Sequence, residues 1–371
     1  MCGRPFFRKE GLHMRYALIG CGRVSRNHIA AAVDNGLEIA ALCDIVPERA
    51  KESKNRFGLP EDTHIYADYR EMLEAEKPQL AAIAVPSGSH ADIAVDCIEA
   101  GCHVIIEKPI ALSVADADRI LAAQKHMGVK VCANHQNRFN AAVQQARSAL
   151  LSGRFGRLLY ATTSIHWYRD AAYYRGDDWR GTWAQDGGTL MNQCIHAIDL
   201  LRWMLGDALT EVVGFTDNQN HPYIEAEDVG VALLRAANGS YGVIDGTVNT
   251  YNTDFEETLT LFGEKGFVKI GGTCVNRIDA WQFADGSDTQ SVVQAACGEN
   301  PPNVYGFGHK SLYADMIDAI ISDRAPYIDG EAGKRALETV LAIYKSSAED
   351  RPVRLPLEAC ATTDFIGRFA K

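Results

Sequence analysis

Tyr16-Ala-Leu-Ile-Gly20-Cys21-Gly22-Arg23-Val24-Ser25 runs from a short apolar stretch, through two glycines, into a helix-forming segment. The order strand, glycine turn, helix decides the reading of the fold. A first glycine permits a tight turn, and a second lets a pyrophosphate approach the backbone. The helix start then presents free N–H groups and the positive end of its dipole. Ser25 stands where a third glycine is usual, and it is small enough to fit. A glycine turn alone is a weak signal, but this one lies at the first strand–helix junction of an alternating pattern.

The alternation continues outward. Strands are expected at 16–19, 37–43, 80–85, 103–106 and 129–133, with helices at 25–35, 47–57, 89–100 and 113–127. Pro47 suits a first helical turn. Strands and helices alternating at these lengths predict a parallel sheet with right-handed crossovers. Asp44 ends the second strand, about 20 residues after the glycine turn, where a carboxylate binds the ribose hydroxyls of a dinucleotide. An acid there repels a 2′-phosphate, which favours NAD over NADP. The other reading of Asp44 is a helix N-cap before Pro47.

After about residue 136 the pattern changes. Strands are expected at 157–168, 210–216, 228–236, 240–250, 256–262 and 266–270, several with period-two alternation, which suggests an antiparallel sheet. Helices are expected near 140–151, 189–205, 309–321 and 331–347. The last places Leu337, Val340, Leu341 and Tyr344 on one face. Asn238-Gly239-Ser240 matches a glycosylation sequon but reads as a hairpin turn.

Composition narrows the partners. The 371 residues are 47% hydrophobic and 23% charged, which is globular and enough for two domains. The formal net charge of −11 disfavours nucleic acid, whose phosphates need a basic surface. Ten cysteines without C-x-x-C spacing read as reduced packing residues in a cytoplasmic protein, and no metal is expected. No apolar run reaches the roughly 18 residues of a membrane span. Residues 1–13 lack an apolar core and read as a flexible extension rather than a secretory signal.

Two further segments carry chemistry. Lys108, between Glu107 and Pro109, sits at the carboxyl end of an expected parallel strand, where open α/β sheets bind ligands. A solvated loop lysine is the alternative. In the 189–205 helix, at about 100° per residue, Asn192, His196 and Asp199 fall within roughly 60° of one another. Leu190, Cys194, Ile198, Leu201 and Leu205 occupy the opposite face, and Gly206 ends the helix. An acid at i+3 is placed to orient the imidazole, which makes His196 a catalytic candidate.

These residues together resemble the Gfo/Idh/MocA oxidoreductase family from about Met14 to Leu357. The resemblance rests on Gly20-x-Gly22 with Ser25, Asp44, Glu107-Lys108-Pro109 and Asn192-x-x-x-His196-x-x-Asp199. It implies a Rossmann NAD-binding domain at 14–135. It also implies a C-terminal α+β substrate domain at 136–357, with a large, mostly antiparallel open sheet through which a homodimer or homotetramer forms. Lys108 is then the acid/base residue and His196 its partner. NAD is held by Gly20, Gly22, Arg23, Val24, Ser25, Asp44, Pro86, Ser87, His90, Glu107 and Lys108. Asn137, Arg169, Arg180, Asn192, Gln193, His196 and Asp199 face the substrate. Most members carry aspartate at the position of Asn192, and this chain offers no charge there.

The implied reaction oxidises a secondary hydroxyl of a sugar or sugar derivative by hydride transfer. Trp167-Tyr168-Arg169, Tyr173-Tyr174, Asp178-Trp179-Arg180-Gly-Thr-Trp183 and Met191-Asn192-Gln193 look like the bacterial UDP-N-acetylglucosaminuronate 3-dehydrogenases. Arg169, Arg175 and Arg180 suit carboxylates and diphosphates, and the aromatics suit sugar or uracil rings. The same stretch also reads as a loop whose aromatics pack on the sheet under covering arginines. An inositol or free-sugar dehydrogenase is the alternative enzyme. A non-enzymatic NAD-binding regulator is the alternative from another class.

Overall fold

The computed structural model describes residues 14–206, 208–272, 274–298, 301 and 305–370. The extension expected at 1–13 lies outside the described residues.

The first sheet contains β1 (Arg15–Ile19), β2 (Glu38–Cys43), β3 (His64–Tyr66), β4 (Leu80–Ile83), β5 (His103–Ile106) and β6 (Val131–Ala133). Their spatial order is β3-β2-β1-β4-β5-β6, and every pairing is parallel. Helices α1 (Ser25–Asp34), α2 (Pro47–Phe57), α3 (Tyr69–Glu76), α4 (His90–Glu99) and α5 (Val114–Met127) connect the strands. Both faces are covered, so β4 and the last four residues of β1 are fully buried and read as continuous apolar runs. The strand order reverses between β1 and β4. A crevice opens there, at the carboxyl ends of the strands.

The second sheet is built from β7 (Leu158–His166), β8 (Leu209–Asp217), β9 (Val229–Ala236), β10 (Tyr241–Thr247), β11 (Glu256–Gly263), β12 (Gly266–Gly271), β13 (Arg277–Phe283) and β14 (Val353–Arg354). The order is β13-β12-β11-β7-β10-β9-β8-β14. Only β7 and β10 pair parallel; the remaining pairs are antiparallel. Asn238-Gly239 turns β9 into β10, with Gly239 at φ 86°. Burial alternates along β9 and β10, so one face is covered and the other lies open.

The remaining helices are α6 (Ala141–Leu151), α7 (Ala171–Arg175), α8 (Thr189–Asn192), α9 (Ile195–Leu205), α10 (Gln290–Cys297), α11 (Gly308–Ile321) and α12 (Gly330–Glu349). Helix α9 lies on β7, β10 and β11, and α12 touches α5, β6, β8 and α9, so it joins the two sheets. Its stripe of Leu337, Val340, Leu341 and Tyr344 is fully buried.

One expectation needs correction. The 189–205 segment is two helices rather than one, broken at Gln193 and Cys194. The cause is tertiary. The Glu227 carbonyl accepts the Thr189 N–H at 3.0 Å, and the Glu227 carboxylate accepts the Leu190 N–H at 2.8 Å. The first turn is thereby anchored to the segment just before β9.

Candidate active site

The glycine turn divides its work between two positions. Gly20 has φ 96°, and a Cβ there would stand 2.3 Å from the Ala84 carbonyl oxygen. Gly20 therefore lets β1 end against β4. A Cβ on Gly22 would meet no atom within 4 Å, so its face is open to the crevice. The Ser25 hydroxyl donates to the Gly22 carbonyl at 2.6 Å and clasps the turn from inside.

Asp44 is buried at the end of β2. Its carboxylate accepts the Cys21 N–H and the Val46 N–H, both at 2.8 Å. Val46, not Asp44, is the N-cap residue of α2. Asp44 braces the glycine turn and still lines the crevice, with Arg49 3.9 Å away.

The crevice has a volume of about 810 Å³ and runs from Asp44 to Lys108 and Asn192. That volume suits a large ligand. Gly20, Gly22, Arg23, Val24, Pro86, Ser87, His90 and Glu107 line it as well, whereas Ser25 does not. An open glycine, a free helix start and a carboxylate beyond them fit the phosphates and adenosine ribose of NAD. His90 lies between the carbonyls of Pro109 (2.7 Å) and Val85 (2.9 Å), so it props the lysine segment.

The roof comes from the segment between β7 and α8. Tyr173, Asp177, Trp179 and Arg180 line the crevice, and Arg23 reaches Asp177 at 3.7 Å. Arg180 donates to Asp177 (2.9 Å) and to the Tyr173 hydroxyl (2.7 Å), and it stacks 4.4 Å over Trp179. Arg169 donates to Asp254 at 2.9 Å and stacks 4.9 Å over Trp167; Arg175 lies 5.8 Å over Tyr223. Of the three arginines, Arg180 alone lines the crevice. The other two pair with or cover neighbouring side chains, as the packing alternative expected.

Lys108 follows β5 and is half-buried. Its Nζ donates to the Asn192 backbone carbonyl at 2.6 Å. Burial lowers the lysine pKa; Glu107 and Asp186 oppose this, and Arg180 adds to it. Behind Lys108, Glu107 accepts from His28 Nε2 at 2.9 Å and from the Asn134 amide. Burial would raise the Glu107 carboxyl, but the His28 hydrogen bond and nearby positive charge hold it well below the usual range. His28, Glu107 and His309 place possible ligand atoms within 4.8 Å of one another. Their hydrogen bonds account for the cluster as a brace behind the lysine.

His196 lies near Lys108 but does not line the crevice. Its ring meets His135 edge-on, 5.5 Å between centroids, and its Nδ1 has no protein partner. Burial, then the Lys108 and His135 charges, press its pKa well below the ordinary value, so the imidazole is neutral. Asp199 does not orient it. Asp199 is fully buried and accepts two hydrogen bonds from Arg138, 2.7 Å from Nε and 2.6 Å from Nη2. His196 and Asp199 share α9, but Arg138 takes both carboxylate oxygens, so the i+3 spacing does not join acid and imidazole.

Other buried polar atoms lack partners: both His135 ring nitrogens, Asn137 Oδ1, Gln193 Oε1, Asn249 Oδ1 and Glu257 Oε2. Unsatisfied buried groups are costly, and a polar ligand offers one explanation for them. Asn137 Nδ2 lies 3.5 Å from Glu257 Oε1, and burial raises the Glu257 carboxyl to about 8. Gln193 donates to the Tyr173 hydroxyl at 3.2 Å. Sequence reasoning named Asn137 and Gln193 but missed His135, Asp186 and Glu257. His135 had a faint local signal, since it follows β6 at the carboxyl edge of the sheet.

Comparison with known proteins gives a consistent result. A family model described as "Oxidoreductase family, NAD-binding Rossmann fold" matches residues 14–135, and one described as "GFO/IDH/MocA C-terminal domain" matches 143–269. Among curated relatives, a D-apiose dehydrogenase of Paraburkholderia graminis is 28% identical over 91% of this chain and 89% of the relative. A myo-inositol 2-dehydrogenase of Thermotoga maritima is 26% identical over 92% and 98%. Among solved structures, the WlbA dehydrogenase from Bordetella pertussis, in complex with NADH and UDP-GlcNAcA, is 37% identical. The match covers 93% of this chain and 99% of that chain, with a TM-score of 0.86. The WlbA dehydrogenase from Chromobacterium violaceum, with the same two ligands, is 33% identical over 93% and 97%, with a TM-score of 0.84.

Proposed function

This chain belongs to the Gfo/Idh/MocA oxidoreductase family, and we propose that it oxidises the C3 hydroxyl of a UDP-linked N-acetylated uronate, using NAD. The observation that carries the substrate is the 37% identity, over 93% of the chain, to a dehydrogenase seen with NADH and UDP-GlcNAcA. Arg180 lines the crevice among Tyr173 and Trp179, where a carboxylate or diphosphate and flat rings find partners.

Bound NAD supplies the hydride acceptor. Gly22 and the start of α1 hold its pyrophosphate, and Asp44 its adenosine ribose. Lys108 takes the hydroxyl proton at Nζ. A neutral amine has two N–H bonds and one lone pair. The Asn192 carbonyl holds one N–H, which leaves the lone pair for the proton. Burial lowers the lysine pKa, the direction that suits a general base. His196, neutral and unpartnered at Nδ1, hydrogen-bonds the same substrate oxygen and steadies it as the carbonyl forms.

The purified protein is to be assayed by NADH absorbance with UDP-GlcNAcA, myo-inositol, apiose and free hexoses. Turnover with the UDP-uronate, lost in Lys108→Met while NADH still binds, is the expected result. Turnover with inositols or free sugars alone would refute the substrate reading.

The protein functions as a homo-oligomer through the open face of the second sheet. Tyr160, Phe215, Leu233, Tyr241 and Phe262 are exposed there, and the register of β8, β9, β10, β7 and β11 places them on one face. A contiguous apolar surface of this kind favours a partner. A monomeric mass in solution would refute this. A reducing cytoplasmic location fits the nine described cysteines, all buried and unpaired.

A further inference from the structure

The lysine's surroundings contain one carboxylate that the mechanism has not used. Asp186 is buried in the loop before α8. One oxygen accepts the Gly181 N–H at 2.8 Å, and the other accepts the Asn192 side-chain amide at 2.5 Å. Asn192 in turn holds Lys108 Nζ through its backbone carbonyl at 2.6 Å. Asp186, Asn192 and Lys108 therefore form a chain of two hydrogen bonds across the roof and floor of the crevice.

We propose that Asp186 is the positioning residue for Lys108. It fixes Asn192 so that the carbonyl meets the amine, and it supplies the buried negative charge that sets the proton affinity of the amine. The proposal rests on the role of Lys108 given above.

The other groups near Lys108 are engaged or neutral. Glu107 is held by His28 and Asn134, and Arg180 by Asp177 and Tyr173. His196 and His135 are buried imidazoles whose pKa values are pushed down, and Cys194 is a thiol pushed far up. Around Asp186 lie Arg180, Lys108 and, behind, the buried Glu227. Burial raises the Asp186 carboxyl to about 6 despite its hydrogen bonds, so above that pH it is ionised. The Asn192 carbonyl is neutral and adds no charge. Asp186 thus contributes negative charge that the helix residue at 192 does not.

Competitive acetylation of Lys108 in the substrate-free protein, followed by mass spectrometry across pH, tests this. In Asp186→Asn the labelling midpoint is expected to fall by about one pH unit, the effect of removing one partly screened buried charge. In Asp186→Ser, which also lacks the charge, it is expected to fall by a similar amount. The acid limb of kcat/KM follows in the same direction, and kcat in Asp186→Asn falls about tenfold as the carbonyl loses its anchor. A carboxylate with only a structural role would lower Tm and leave the midpoint where it is; that result overturns the proposal. Should one variant not fold, the other carries the test, because an unmoved midpoint in either is decisive. The labelling uses no substrate, so the midpoint reports on Asp186 even if the uronate assay fails.

Discussion

Replacing Gly20 and Gly22 separately with alanine should split the glycine turn into a folding part and a binding part. At Gly20 the methyl group would lie 2.3 Å from the Ala84 carbonyl oxygen and 2.6 Å from its carbon. Neither atom can move away, because Ala84 N–H donates to Ile19 at 2.7 Å and Gly20 N–H donates to Cys43 at 2.8 Å. The left-handed backbone adds about 1–2 kcal/mol for any residue with a Cβ. Overlap in a packed core adds about 1–3 kcal/mol. The unit concerned spans residues 14–135. At about 4 °C per kcal/mol for that size, Gly20→Ala should lower Tm by about 8–20 °C. At Gly22 the methyl group meets nothing within 4 Å, so Tm should move by no more than about 2 °C. The same methyl fills the space the pyrophosphate needs. Losing one or two charge-assisted hydrogen bonds costs about 2–4 kcal/mol, or roughly 30- to 1000-fold in NADH affinity. Differential scanning fluorimetry and NADH titration by fluorescence give both numbers. If Gly22→Ala melts early, or binds NADH as well as the parent, the division of labour is wrong.

Three other outcomes follow from the site. Asp199→Asn leaves the buried Arg138 guanidinium without its counter-charge, which costs about 3–5 kcal/mol, while kcat at low temperature should stay within about threefold; a large loss of kcat at constant Tm would reinstate Asp199 as an orienting acid. Asp44→Ser removes the carboxylate and leaves Arg49 beside the ribose position, so the NAD:NADP ratio of kcat/KM should fall at least about tenfold, and an unchanged ratio would count against the assignment. Burial raises the Glu227 carboxyl to about 8. The folded chain keeps that proton up to about pH 8, whereas the unfolded chain loses it near its ordinary value of 4.5, so stability falls as pH rises between those limits, by at most about 1.4 kcal/mol per pH unit from this group. Glu227→Gln should flatten that slope, and thermal melts at pH 5 and pH 8 that differ as much as the parent's would refute it.

The Rossmann half was legible because its signals are local. A period change, Pro47 and the glycines after Ile19 mark element ends within a few residues, and Asp44 and Lys108 follow from strand ends. Strand β3 and helix α3 were missed because His64–Tyr66 is short and half-exposed and Tyr69–Glu76 is only 8 residues long. The row at Asn192, His196 and Asp199 satisfied a continuous helical period, and nothing local marks the break that Glu227 imposes from the segment before β9. Asp186 and Glu257 belong to the same class. Each is an ordinary acid in sequence, and only the folded chain gives one a lysine to govern and buries the other near the polar groups around Asn137.

The contact between Lys108 and the carbonyl of residue 192 has an evolutionary consequence. A side-chain partner is lost by one codon change, but a main-chain oxygen is present whatever amino acid occupies the position. Alanine at residue 192 keeps the acceptor oxygen but removes the amide that ties it to Asp186. The position can change its side chain without losing the acceptor, provided that another contact takes over the anchoring from Asp186. Such a lineage can retune its chemistry through the loop that anchors the helix, leaving the lysine and its immediate partner untouched.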